Sequence, residues 1–104
     1  MKFKMISAKD LRGYIDREDI LLFDLRERED YERGHIGKAI WEDWERLEDR
    51  IDGYLSGQKE QIHWIILYCD RGNTSLLIAR DLARMGYPVM SLNGGYAGWE
   101  RLNA

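Results

Sequence analysis

Cysteine and proline each occur once in the 104 residues, as Cys69 and Pro88. A lone cysteine excludes an intrachain disulfide, a redox pair within the chain and a thiolate-based metal cluster. It predicts a reducing, cytoplasmic setting with neither a metal nor a cofactor. A lone proline excludes a proline-rich linker, and no repeat or low-complexity tract divides the chain. No apolar run approaches the roughly 20 residues needed to span a bilayer. The opening Met1-Lys2-Phe3-Lys4-Met5-Ile6 lacks the apolar stretch and cleavage site of a secretory leader. Basic blocks are also missing: the formal charge is −3, with acids and bases interspersed. Neither nucleic acid nor a membrane is therefore an expected partner.

What is present is a core under a charged surface. Hydrophobic residues make up 44% and charged residues 34%, which excludes disorder and predicts one domain over residues 1–104. Ile20 to Leu25, Ile62 to Cys69 and Pro88 to Leu92 are apolar stretches that read as strands, the first two nearly continuous, the pattern of strands covered on both faces. Lys2 to Met5 alternates and suits an edge strand. Helical patterns lie between them. Ser7 and Asp10 form a helix start before Leu11, Tyr14 and Ile15. Ile40, Trp44, Leu47 and Ile51 recur at helical spacing. Leu76 to Met85 carries a third apolar face, stopped by Gly86 with Pro88 beyond. A last short helix is expected over Tyr96 to Leu102, after the Asn93-Gly94-Gly95 break. Strands alternating with helices predict an α/β domain built on a mainly parallel sheet. Ligands of such sheets bind beyond the carboxyl ends of the strands, which is where Cys69 falls.

Cys69-Asp70-Arg71-Gly72-Asn73-Thr74-Ser75 leads from the most apolar strand into the third helix. A loop of this kind gathers unpaired backbone N–H groups and the positive end of the helix dipole. Gly72 and Asn73 are the residues expected to take the unusual backbone angles of an anion-binding nest, and Thr74 or Ser75 is expected to cap the helix. A cysteine at such a rim suits a thiolate, the form that attacks sulfur. Against this stands the commoner fate of a free cysteine, a small buried hydrophobe.

Longer stretches carry a resemblance. Leu22-Phe23-Asp24-Leu25-Arg26-Glu27, then Tyr31, Gly34-His35-Ile36 and Ala39-Ile40, resemble the first signature of the rhodanese (sulfurtransferase) family. Ile66-Leu67-Tyr68-Cys69, the loop to Thr74, then Ala79, Leu82, Gly86-Tyr87 and Leu92-Asn93-Gly94-Gly95-Tyr96-Ala97-Gly98-Trp99 resemble the second. The resemblance runs from about Ile6 to Trp99. It implies a single rhodanese-like domain with a mostly parallel five-stranded sheet flanked by helices on both faces. The implied activity moves sulfane sulfur from a small donor such as thiosulfate, through a persulfide on Cys69, to cyanide or to an external thiol or protein acceptor. The implied assembly is a monomer or weak dimer. By position, Cys69 is the nucleophile, and the backbone of Asp70, Arg71, Gly72, Asn73, Thr74 and Ser75 cradles the persulfide and the departing anion. Two positions depart from the family pattern. Gly37 stands where proline is common, at a turn. Asp70 stands where many thiosulfate-using members have a basic or neutral residue; an acid there opposes a dianionic donor, and Arg71 offsets it.

Other polar and aromatic residues read as scaffold. Asp24, Arg26 and Glu27 are expected to tie the sheet end together by ion pairs and turn hydrogen bonds, His35 to sit in a turn, and His63 to be a surface residue. Core packing is expected of Trp44 and Trp64, partial exposure of Trp41, and a solvated helix side of the acid-rich run Glu42 to Asp52. Arg71 is a candidate anion contact. Two rival functions remain at this point. A phosphatase or arsenate reductase on the related scaffold would use a longer loop ending in an arginine, whereas Ser75 occupies the sixth position after Cys69 and the next arginine is Arg80. A catalytically silent interaction module would keep the fold without turnover.

Overall fold

A computed structural model describes residues 2–104. Five strands form one sheet: β1 (Phe3–Ile6), β2 (Ile20–Asp24), β3 (Ile40–Trp41), β4 (Trp64–Tyr68) and β5 (Val89–Leu92). Their order is β1-β5-β4-β2-β3, and every pairing is parallel. The connecting helices are α1 (Ala8–Leu11), α2 (Arg28–Arg33), α3 (Leu47–Leu55), α4 (Asn73–Arg84) and α5 (Gly95–Asn103), with a 3-10 turn at Lys59–Gln61. The expected sheet is thus present and parallel throughout. No helix among the described residues is long and apolar enough to cross a membrane.

The side-chain alternation of each strand divides the core in two. Phe23, Leu25, Ile65, Leu67, Cys69 and Val89 pack with Leu47, Ile51 and Leu55 of α3 and with Ile78, Ala79 and Leu82 of α4. Leu22, Ile66, Tyr68, Met90 and Leu92 meet Leu11 and the half-buried Tyr96 and Trp99 on the other face. Both faces are covered at β2 and β4, which is why these two strands read as nearly unbroken apolar runs. Ser7 caps α1 as expected, its Oγ accepting the Asp10 N–H at 3.0 Å.

Three expectations fail in the segment between β2 and α3. Ile40 does not begin a helix; it pairs with Phe23 in β3, and the helix starts only at Leu47. The spacing of Ile40 and Trp44 mimics a helical stripe because a strand end and a turn happen to lie four residues apart. Trp44 is consequently not core but 45% exposed. Glu42 is not on a solvated face: it is buried, accepting bonds from Arg50 Nη1 at 2.8 Å and the Tyr54 hydroxyl at 2.5 Å. Burial, with Glu42 beside it, pushes the Tyr54 phenol up to about 12. The helix α2 escaped sequence reading because Arg-Glu-Asp-Tyr-Glu-Arg has no apolar period. Trp64 is half-buried against the second core cluster, and Trp41 is half-buried with its Nε1 donating to the Arg26 carbonyl at 2.8 Å.

Below the carboxyl end of the sheet lies a buried polar knot. Asp24 accepts from the Arg26 backbone N–H at 2.9 Å and from Arg26 Nη2 at 2.8 Å. Arg26 Nη2 also donates to the Gly34 carbonyl at 2.6 Å, and the guanidinium lies 3.8 Å from the Tyr96 ring centroid. Burial works against the Arg26 charge, but the Asp24 hydrogen bond and attraction outweigh it and push the guanidinium up. Tyr68 donates to Asp24 Oδ2 at 2.7 Å and accepts the Ile36 N–H at 3.1 Å. Burial pushes its phenol up, and the Asp24 carboxylate adds to that, so it stays protonated and a donor. Asp24 and Arg26 therefore hold the scaffold, as expected. Tyr68→Phe is expected to lower stability by about 2 kcal/mol, because the buried Ile36 N–H loses its partner while Asp24 Oδ2 is left with Arg26 alone. A urea titration checks this, and sulfur chemistry per folded molecule should stay near wild type.

Candidate active site

Strand β4 delivers Cys69 to the carboxyl end of the sheet, with its side chain on the face covered by α3 and α4. The chain then turns at Gly72, whose φ of +104° lies in the region open to glycine, and enters α4 at Asn73. This turn aims two backbone donors at the sulfur: the Gly72 N–H at 3.2 Å and the Ser75 N–H at 3.3 Å from Sγ. The Cys69 thiol in turn lies 3.5 Å from Ser75 Oγ, to which it donates. These N–H groups sit at the unpaired first turn of α4, where no helical carbonyl competes for them. Charge that develops on the sulfur is met by fixed dipoles.

Two details of the expected loop are corrected. Neither Thr74 nor Ser75 caps α4: the N-cap is Gly72, with no side-chain cap bond. Ser75 instead is fully buried beneath the sulfur, its Oγ donating to the Gly72 carbonyl at 3.3 Å and lying 2.9 Å from Ser91 Oγ. Asn73 also takes no unusual angle; positive φ among the described residues is confined to glycine.

The outside of the loop is held by the start of α5. The Tyr96 N–H donates to the Cys69 carbonyl at 2.8 Å, and the Ala97 N–H donates to the Asp70 carbonyl at 3.0 Å. With these carbonyls turned outward, the following N–H groups are free to face the sulfur. Gly95 permits the approach: a Cβ there would lie 2.6 Å from the Asp70 carbonyl and from the Cys69 oxygen. The Asn93-Gly94-Gly95 stretch was legible only as a helix break. Its role as the clamp on the loop comes from the fold.

Cys69 is 6% exposed, at the base of an open cleft of about 310 Å³. Leu25, Trp44 and Thr74 line this cleft along with Arg26, Asp70 and Arg71. A second cleft of about 560 Å³ shares Arg26, Asp70 and Arg71 and extends past Arg33 to Tyr96 and Glu100. Asp70 and Arg71 are both exposed, and this charged pair beside Cys69 borders both clefts. His35 is exposed and engages the Tyr31 carbonyl, while His63 is exposed beside Asp19. Both are absent from the cleft lining. Arg80 is exposed in the middle of α4, so the guanidinium clamp of an oxyanion-cleaving loop has no counterpart at Ser75.

Set against known protein families, residues 7–102 match the rhodanese-like domain. The chain belongs to the rhodanese-like family. Relatives include the thiosulfate sulfurtransferase GlpE of Pseudoalteromonas translucida, 32% identical over 101 residues that make up 96% of this chain and 91% of the relative. The adenylyltransferase and sulfurtransferase UBA4 of Candida albicans is 34% identical over 94% of this chain, which spans only 23% of that protein. Among solved structures, the rhodanese-related protein of Thermoplasma volcanium superimposes with a TM-score of 0.79 at 21% identity, covering 95% of this chain and 92% of that one. That likeness bears on the fold alone. The loop after β4 falls within the stretch that matches the rhodanese-like domain. Sequence reasoning missed two residues behind it, Ser91 and the close-packed Gly95. Ser91 carried a usable signal, a lone hydroxyl inside the apolar Val89-Met90-Ser91-Leu92 strand.

Proposed function

We propose that this rhodanese-like protein is a sulfurtransferase of the thiosulfate type working through a persulfide on Cys69. The observation that carries the reading is the pair of backbone N–H groups directed at Sγ from Gly72 and Ser75, at the base of an open cleft. The Cys69 thiolate attacks the outer sulfur of the donor. The donor's S–S bond breaks with its electron pair leaving on the departing group, which is sulfite when the donor is thiosulfate. A persulfide remains on Cys69. An external thiolate or cyanide then attacks the terminal sulfur, and Cys69 leaves as the thiolate, closing the cycle. With no second cysteine in the chain, discharge goes to an outside acceptor. The loop from Asp70 to Ser75 is the substrate-binding segment, and the protein works in the cytoplasm as a monomer or weak dimer, without a metal or cofactor.

The test is intact-protein mass spectrometry after incubation with thiosulfate or a polysulfide. A gain of one sulfur atom that cyanide removes supports the reading. The same mass before and after both donors overturns it.

Asp70 sets the donor preference within this reading. Its carboxylate borders the cleft that a dianionic donor must enter, and Arg71 beside it opposes the repulsion. Exposure and salt weaken both effects, leaving a residual repulsion of about 1 kcal/mol. Asp70→Asn is therefore expected to raise kcat/KM for thiosulfate several-fold at low ionic strength, with little effect at high salt. Arg71→Ala should lower it. An unchanged rate for Asp70→Asn at low salt would mean that the carboxylate points away from the donor.

A further inference from the structure

Strand β5 presents Val89, Met90, Ser91 and Leu92, all buried. Ser91 is fully buried in this apolar strand, where a hydroxyl is costly unless it is hydrogen-bonded. Alternation places it on the same side of the sheet as Val89, the side that holds Cys69. Among the described residues, its side-chain hydrogen-bond partner is Ser75 Oγ at 2.9 Å. Ser75 Oγ is in turn 3.5 Å from Cys69 Sγ. A buried line of three groups thus runs from the sheet interior to the nucleophile.

We propose that Ser91 is a positioning residue that acts through Ser75 to give the Cys69 sulfur a hydrogen bond that follows its charge. The inference rests on the sulfurtransferase reading and deepens it. A serine hydroxyl has one hydrogen and two acceptor lone pairs. Ser75 Oγ meets three groups: the sulfur, the Gly72 carbonyl at 3.3 Å and Ser91 Oγ. While Cys69 is a thiol, its S–H donates to Ser75 Oγ, and the Ser75 hydrogen goes to the Gly72 carbonyl. Once the sulfur is anionic, as thiolate or persulfide, it has no hydrogen to give. Ser75 then turns its hydrogen to the sulfur, and the Gly72 carbonyl keeps the Leu76 N–H at 3.1 Å.

Ser91 donates to Ser75 in both states. It occupies a lone pair, keeps Ser75 from spending its hydrogen toward the sheet, and polarises the Ser75 O–H toward the sulfur. The anionic sulfur thereby gains a third donor beside the Gly72 and Ser75 N–H groups. Arg26, Glu27, Asp70 and Arg71 line the cleft that also contains Cys69. They act on every variant below alike.

The test measures cyanide-coupled sulfur transfer in the full chain with Ser91→Ala, Ser75→Ala, the double alanine variant, Ser91→Thr and Ser91→Cys. Ser91→Ala is expected to lower the maximal rate about fivefold and to leave the half-saturating thiosulfate concentration unchanged, because Ser91 touches no substrate. Ser91→Thr, which keeps the hydroxyl, should restore the rate. The double variant should be no slower than Ser75→Ala alone, since Ser91 acts only through Ser75. Ser91→Cys keeps the shape with a weak donor, and its rate should fall with the fold intact, so it answers if the alanine variant folds poorly. Wild-type rates in both Ser91→Ala and Ser91→Cys, or losses that add in the double variant, overturn the proposal. Failure of wild-type Cys69 to take up sulfur overturns the sulfurtransferase reading itself, a different result from a wild type that works beside an equally active Ser91→Ala.

Discussion

Replacing Cys69 with serine is expected to abolish sulfur uptake and to cut sulfur transfer to cyanide by at least about a thousandfold, or about 4 kcal/mol of transition-state stabilisation. The chain has no other thiol to take over. A serine hydroxyl is a far weaker nucleophile toward sulfur and cannot carry a persulfide. The fold should not suffer: a serine oxygen can still accept from the Gly72 and Ser75 N–H groups that now reach Sγ, and the core cluster loses only one small side chain. The melting temperature should stay within a few degrees of wild type. Steady-state thiocyanate production and intact mass check the two halves of this expectation. Equal transfer by wild type and variant would remove Cys69 from the chemistry, and equal rates at the uncatalysed level would leave the silent interaction module as the better reading.

How far the sequence carried this conclusion differs between the fold and the site. The sequence pattern found the three central strands, β2 and β4 because Ile and Leu runs covered on both faces leave a long apolar signature and β5 as a shorter apolar stretch, and β1 as an alternating edge. It found α4 for the same kind of reason. Its failures cluster where tertiary contacts override local pattern. Two-residue β3 exists only because Phe23 and Asp24 offer it a ladder, and α2 has no apolar stripe to reveal it. Trp44 looked like a core residue on a helix face; in the turn before α3 it forms part of the wall of the Cys69 cleft. Glu42 looked like one acid among many, and nothing in its neighbourhood announces that Arg50 and Tyr54 return from α3 to bury it.

At the site, the strand-loop-helix order placed Cys69 and the loop from Asp70 to Ser75, since both are sequential. What it could not place is the non-sequential support. Ser75 was legible as a capping residue and proves to sit behind the sulfur, because β5 brings Ser91 beneath α4. The amides of Tyr96 and Ala97 bond to a loop more than twenty residues upstream. Order along the chain reveals the chemistry; the geometry that makes it work comes from β5 and α5.

Gly95→Ala is expected to test that non-sequential support most severely. Two costs combine. At φ +58°, an alanine in the left-handed region costs about 1–2 kcal/mol. Its Cβ would also fall 2.6 Å from the Asp70 carbonyl carbon, the Asp70 oxygen and the Cys69 oxygen. Those are backbone atoms that cannot swing aside as a side-chain end does, and overpacking of this kind costs about 1–3 kcal/mol. A combined loss of about 3–4 kcal/mol should lower the melting temperature by roughly 15 °C or more. The relief available to the chain is to move the loop away from α5, which breaks the bonds from the Tyr96 and Ala97 amides and tilts the peptides that aim N–H groups at the sulfur. Sulfur transfer per folded molecule should therefore drop about 10- to 100-fold, as expected for a nucleophile displaced by a fraction of an ångström to one ångström. Gly98→Ala is the control. It lies one turn further along α5, and its Cβ would meet Arg101 Nη2 at 3.7 Å and the Asn93 carbonyl at 3.8 Å, ordinary contact distances. That variant should melt and turn over like wild type. A Gly95→Ala protein that also does so would show that the loop keeps its shape without α5, and the backbone clamp on Cys69 would have to be sought within the loop itself.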